Sequence, residues 1–391
     1  MDLGDPQLYA SRDRYAMWHD HATEDRIVWS PPGSSPSGFW SVFSHQACTA
    51  VLGPQAPFTS RYGMLIGFDA DHPDRAGGEM IVAADGARHL RLREILGRFL
   101  SRSAVAALEP FVRKEVDHLL AEMRAVGVVD VARHIGPLLP AAVVCEVLGV
   151  PAGDRDHVMR LTDTAFASPG SESTAAASVE AHTEIFGYFG DQLALRDRSP
   201  GDDLISALLA EDDLTRDEVL VNCYNLLIGG NQTARHVIAG CFDAASRTPG
   251  LLDRIREDPT LVQTAAEEAI RWVSPGMHVL RVATADLTLC GQAIAAGDPV
   301  VAWLAAANRD PGVFAQPETF RPDRSPNRHL GFGHGPHVCL GARLARLEIA
   351  VVLRILAERA GAVHLAGDPL PTRSNLIQGY QSLPVEVRWS E

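Results

Sequence analysis

Apolar residues recur along this chain mostly at the three- and four-residue spacing of helices, and only briefly at the two-residue spacing of strands. Ile27-Val28-Trp29 and Phe39-Trp40-Ser41-Val42 flank the turn-rich segment from Pro31 to Pro36 and predict two strands, with a short helix after Ser44. From Pro57 to Gly86, glycines, prolines and aspartates deny any long element. That loop carries Met64, Leu65, Ile66 and Phe68, an apolar content that suits binding. Helical patterning then takes over from Ala87 to Phe99, and again at about 104–126, 138–148, 152–168 and 172–196. Thr215 with Glu218 three residues on is a capping box, and no breaker must end the helix it opens before Pro249-Gly250. Roughly 33 helical residues reach about 50 Å, enough to cross a whole domain. After Ser274-Pro275 short strands are predicted at Val279 to Ala283, Leu287 to Leu289 and Pro299 to Val301. A last helix follows Gly341, with apolar residues at 340, 344, 347 and 351. The pattern is that of a mainly α chain with a small β region.

Three stretches break the local rules. Gly229-Gly230-Asn231-Gln232-Thr233 sets two glycines, each worth roughly 1 kcal/mol less than alanine in a helix, and three polar residues mid-helix. Read alone, this is either a kink or a place where a flat ligand approaches the backbone. Gly331, Gly333 and Gly335 let the loop before Cys339 turn sharply. Cys339 stands at a loop-to-helix junction, where free N–H groups and the helix dipole favour a thiolate. No second cysteine is near enough in sequence for a zinc pair or a disulfide. Such a residue is either buried and inert or a lone axial ligand of haem iron. His89 and Arg93, four apart on one helix face, are a solvated basic patch or two donors for carboxylates.

Composition narrows the classes. The 391 residues are 46% hydrophobic, ample for a large core, and carry a formal charge of −14 without a basic run, which argues against nucleic-acid binding. The six cysteines lack paired spacing, the N-terminus lacks a basic and apolar leader, and no uninterrupted apolar run approaches a membrane span. The expectation is a cytoplasmic protein, monomeric, with no membrane partner.

The spacing F-x-x-G-x-x-x-C-x-G, carried by Phe332, Gly335, Cys339 and Gly341, resembles the haem-binding loop of cytochromes P450. Other motifs follow in that family's order from His89 to Leu383, so the resemblance covers essentially the whole chain. It implies the cytochrome P450 fold, a single domain over residues 1–391, and haem b with the Cys339 thiolate as axial ligand to the iron. It implies haem contacts from Phe332 and Gly333, and propionate donors at His89, Arg93, Arg281 and His337. Glu268 and Arg271 match the family's E-x-x-R pair, with Arg324 the candidate third member of a structural network. Gly230, Gln232 and Thr233 match its oxygen-activation motif, in which Gln232 replaces the usual carboxylate and Thr233 would relay protons. Met64, Phe68, Leu227, Gly230, His278, Val279, Ile377 and Gln378 are the expected substrate chamber. The implied reaction inserts one oxygen atom from O2 into a small organic substrate. Electrons would come from an external ferredoxin and its reductase, docking at Arg343 and Arg346. The Gly-Gly-Asn start resembles tailoring enzymes of bacterial secondary metabolism, some acting on carrier-bound amino acids, so the substrate is free or held on a carrier protein. Alternatives are a peroxide-using, coupling or desaturating haem-thiolate enzyme, or a haem-based ligand binder.

Overall fold

The structure, a computed structural model, describes residues 2–10, 14–23, 26–67, 76–165 and 172–390. Helices account for 54% of the chain and strands for 13%, as the patterning predicts. The two N-terminal strands form as expected, Val28–Ser30 antiparallel to Phe39–Val42. Phe39–Val42 then runs parallel to Pro299–Trp303, which pairs antiparallel with His278–Ala283, and Phe58–Thr59 closes the far edge. In this register Val279 faces Ala302 and Arg281 faces Val300, so both project from one side of the sheet while His278 and Leu280 project from the other. Tyr9, Trp18 and Trp303 stack behind that second side, with ring centroids 5.0 to 5.7 Å apart. A smaller sheet orders Val128–Asp130, Pro384–Trp389 and Ala360–Leu365.

Two expected helices are each divided. Leu108 separates Arg102–Ala107 from Glu109–Val126, whose first turn contains Pro110. The long helix starts where its capping box puts it: Glu218 N–H donates to Thr215 Oγ1 at 3.1 Å, and Thr215 N–H to Glu218 Oε2 at 2.8 Å. It is interrupted at Thr233, which caps Arg216–Gln232 and opens Ala234–Arg247. The first half packs among Leu138–Leu148, Glu172–Arg198 and Leu204–Leu209, the second against Leu261–Val273 and Ala342–Arg359. Val131–Leu148 is apolar enough to resemble a membrane span, yet 67% of it is buried inside the fold, as suits a core segment.

Long-range hydrogen bonds hold the long loop and the cysteine loop in place. Asn222 on the long helix donates to Glu79 O at 2.8 Å and accepts from Ile81 N–H at 2.9 Å, stitching the end of the Pro57–Gly86 loop to the helix. Glu268 is fully buried between two guanidinium groups. Arg271 binds it at 2.7 and 2.8 Å, Arg324 at 2.9 and 3.0 Å, and the Arg321 N–H at 2.9 Å. Arg271 also donates to Asn308 O and Pro317 O, so one side chain anchors the run that leads into the cysteine loop.

The Ala342–Arg359 helix is buried over most of its length and carries a carboxyl, Glu348, only 2% exposed and with Oε2 unpartnered among the described residues. Burial pushes this carboxyl up to about 8, against roughly 4.3 in an unfolded chain. Between those values the folded protein holds a proton that the unfolded chain releases, so stability falls as pH rises through the window. Glu348→Gln should therefore gain on the parent as pH rises, by on the order of 4 kcal/mol between pH 5 and pH 8.5. Denaturant unfolding at the two pH values measures this; an equal difference at both would refute it.

Candidate functional site

Cys339 follows the short 3-10 turn Gly335–His337 and precedes Gly341, the N-cap of the Ala342–Arg359 helix. Gly335 has φ +70°, and a Cβ there would stand 2.1 Å from Leu52 O, so only glycine permits the turn. The Cys339 N–H donates to Phe332 O at 2.8 Å and closes the loop. Burial pushes the thiol up, while the Gly341 N–H, Arg93 and Arg346 pull it down. Cys339 is exposed although protein is packed densely around it, so the residue borders a recess in the fold.

Beside it the fold gathers basic side chains from three segments: the Gly86–Phe99 helix, the His278–Ala283 strand and the cysteine loop itself. The His89 and His337 rings lie 4.0 Å apart, and the charges of Arg93 and Arg281 both reach His89. Burial and these neighbours, His337 foremost, push the His89 imidazole down to about 4, and its buried Nε2 has no partner among the described residues. Burial brings Arg281 down to about 10, with Asp85 opposing. Asp85, which sequence reasoning missed, is the anion among them. It stands at the N-cap of Gly86–Phe99 but makes no capping bond. Its carboxylate accepts instead from the Thr59 hydroxyl and from Ser60 N–H at 2.9 Å, and lies 3.4 Å from His337 Nε2. Burial alone would raise Asp85, but these bonds outweigh it and hold the carboxyl well below the usual range. A partnerless buried imidazole and several cations around one carboxylate form a cradle for a ligand with two carboxylates. Among the described residues no three His, Cys, Asp or Glu side chains gather to hold a metal by themselves, so iron at Cys339 would bring its other ligands with it. The residues fit haem.

The long helix adds an opening. Gly229, mid-helix, is exposed, and nothing lies within 4 Å of where its Cβ would be. Gln232 Nε2 and Asn231 Oδ1 are buried without partners among the described residues, next to the interruption at half-buried Thr233.

The comparisons with known proteins agree along the full chain. Residues 190–359 match the family profile described as Cytochrome P450. Cytochrome P450 NovI of Streptomyces niveus is 32% identical over 391 residues, 99% of this chain and 96% of that protein. The chain belongs to the cytochrome P450 family. Mycinamicin IV hydroxylase/epoxidase of Micromonospora griseorubida is 35% identical, covering 98% of this P450 and 100% of its relative. Among solved structures, P450 OxyD, involved in the biosynthesis of vancomycin-type antibiotics, superposes with a TM-score of 0.96 at 53% identity over 100% of both chains. P450BioI in complex with a fatty-acyl-loaded acyl carrier protein gives 0.87 at 28% identity, over 96% of this chain and 99% of that one. The family's cofactor is haem b with a cysteine thiolate on the iron, and its reaction is mono-oxygenation.

Within this P450, several positions differ from expectation. Gly230 does not face the opening: its Cβ would meet Val144 Cγ2 at 2.8 Å, so it backs onto the Leu138–Leu148 helix, and Gly229 takes the open side. Leu227 is 1% exposed and buried in the core cluster with Val144 and Phe189, not in a chamber wall. His278 is 1% exposed, its Nδ1 2.9 Å from Asn375 O and its Nε2 accepting from Ile66 N–H at 3.3 Å, so both ring nitrogens join other segments. Gln378 is fully buried, donating to Val273 O at 2.5 Å and accepting from Trp18 Nε1 at 3.3 Å. It ties the fold together and lines nothing. Half-buried Met64 accepts from Leu280 N–H through its carbonyl, Val279 shares a sheet face with Arg281, and Ile377 bridges to Gly276. Phe68 lies outside the described residues. Arg346 is not a free docking cation, because Glu267 holds it through both carboxylate oxygens.

The two glycines separate in a stability test. Gly230→Ala should destabilise by about 1–3 kcal/mol by overpacking against Val144, whereas Gly229→Ala should be neutral or gain up to about 1 kcal/mol of helix propensity. Unfolding midpoints decide, and Val144→Ala should relieve only the first. Equal effects of the two substitutions would mean the helix phase is wrong.

Proposed function

We propose that this P450 hydroxylates a small acyl substrate held on a carrier protein, as a tailoring step in the biosynthesis of an antibiotic-class secondary metabolite. The observation that carries the chemistry is Cys339 bordering a recess beside His89, Arg93, Arg281 and His337. The full-length likeness to OxyD supports the pathway class, and the carrier complex of P450BioI supports the mode of presentation.

Haem, when bound, supplies oxygen activation, using two electrons from outside the chain. Cys339 would give the iron its thiolate, with its backbone N–H on Phe332 O fixing the loop. His89, Arg93, Arg281 and His337 would hold the two propionates as charge-assisted donors. Gly229 would leave room beside the helix for a flat cofactor. At the interruption the Thr233 hydroxyl passes protons inward, and Gln232 orients water without titrating, since an amide offers donors and acceptors but cannot ionise. Electrons enter through a ferredoxin in a cytoplasmic setting. The docking place is a groove of about 250 Å³ lined by Arg102, Arg343, the Glu267-held Arg346 and Arg354, which Glu109 binds at 3.2 Å, so Arg102 and Arg343 are the cations it offers. That charge pattern suits an acidic partner.

Cys339→Ser is the test of ligation. The reduced parent with CO should show its Soret band at about 450 nm, as thiolate ligation implies. Cys339→Ser should lose that band, while Cys145→Ser and Cys290→Ser keep it. Retention of the band in Cys339→Ser would overturn the reading.

Thr233 and Gln232 are tested by product formed per NAD(P)H consumed. Thr233→Ala should lose rate and coupling within the 10²–10⁴-fold range of roughly typical acid–base contributions. Gln232→Glu should improve coupling modestly with the same product. A changed product in Gln232→Glu would point instead to the non-hydroxylating alternative.

A further inference from the structure

Glu267 sits next to the network carboxylate Glu268 but serves a different group. Its carboxylate accepts from Arg346 through both oxygens, the Nη2 bond measuring 3.0 Å, and from His329 Nε2 at 2.9 Å. Burial opposes its ionisation, but the bonds from His329 and Arg346 prevail and hold the carboxyl down at about 2. His329 Nδ1 accepts from Gly331 N–H at 3.2 Å, which leaves Nε2 as the donor to Glu267. The Arg346 guanidinium lies 4.5 Å from the centroid of the Phe332 ring, a cation–π distance, and His329 lies 5.9 Å from the same ring. Phe332 in turn gives its carbonyl to the Cys339 N–H. Among the described residues, the charges of Arg93 and Arg346 both act on the Cys339 thiol and pull it down.

The Arg346 side chain is 38% exposed, yet a bidentate carboxylate and an aromatic face hold it in one place. A fixed charge near a redox centre acts on its potential, and outer-shell groups are among the levers a protein has over a haem.

We infer that Glu267 and Arg346 form a locked charge pair that sets the reduction potential of the Cys339-bound centre, with Arg346 as the positioning residue and Glu267 as its counter-charge. The inference rests on Cys339 being the ligand. Reduction adds one negative charge to the centre, so a nearby cation favours the reduced form and a nearby anion opposes it. Glu267 therefore offsets part of what Arg346 supplies.

The sign of the response distinguishes this from a structural role. Reductive titration of the haem-loaded protein should show Glu267→Gln with a higher midpoint potential than the parent, because an anion is gone and the amide still spans the site. Arg346→Gln should show a lower one. At a fixed ambient potential each should change the reduced-to-oxidised ratio roughly three- to tenfold, in opposite directions. Glu267→Asp perturbs the packing and keeps the charge, so its midpoint should stay near the parent's. Shifts of the same sign in Glu267→Gln and Arg346→Gln would mean that loosened packing and water entry act in their place, and would overturn the inference. So would unmoved potentials in both. If either Gln variant loses haem, Glu267→Asp and Arg346→Lys decide: both keep their charges, so both should stay near the parent, and a large shift in either refutes the charge pair. Throughout, the CO band near its parental position shows that ligation is intact. A failure here with the band retained is thus separable from a failure of Cys339 as ligand, in which Cys339→Ser would keep the band.

Discussion

One buried carboxylate shared by two guanidinium groups carries much of the proximal architecture. Glu268, Arg271 and Arg324 are all withdrawn from water, and each is fully engaged by the others and by backbone groups. Desolvating three charges costs so much that the arrangement holds only when every bond is made; losing one partner of such a group typically costs about 3–5 kcal/mol. The network is thus less a source of stability than a source of uniqueness. It permits one path for the chain from Asn308 to Arg324, and the cysteine loop begins six residues later. The geometry at Cys339 is inherited from it.

The distribution of charge shows the same economy. A chain with net charge −14 concentrates its cations where anions are expected. Arg88, Arg91 and Arg98 on the Gly86–Phe99 helix are already taken by Glu211, Asp213 and Glu218. Exposed pairs of this kind add little stability individually, but they fix the helix that presents His89 and Arg93 toward the recess. Which arginines remain for an external partner is decided by these internal claims and not by their number.

Much of this was legible in the residues. The capping box placed the start of the long helix, the glycines marked the cysteine turn, and spacing brought His89 and Arg93 onto one face. What was not legible depended on the identity of a packing neighbour. Periodicity shows that Gly229 and Gly230 are adjacent, but only Val144, some 85 residues earlier, decides which of them is covered. The family resemblance put His278 and Gln378 among the expected chamber residues. Their hydrogen bonds run to Ile66, Asn375, Trp18 and Val273, and no local pattern announces those. Asp85 belongs to no motif in the sequence, and its bonds to Thr59 and Ser60 exist only once the loop is folded. Arg346 was misread because charge along a sequence says nothing of the Glu267 that meets it 79 residues away.

The interruption at Thr233 has a mechanical consequence. The rod before it is rooted in one apolar cluster, through Val219, Cys223 and Leu227, and the rod after it in another, through Val237, Ile238 and Phe242. Because the helix is interrupted at Thr233, each half takes its place from the cluster it is rooted in, and no single unbroken rod has to satisfy both.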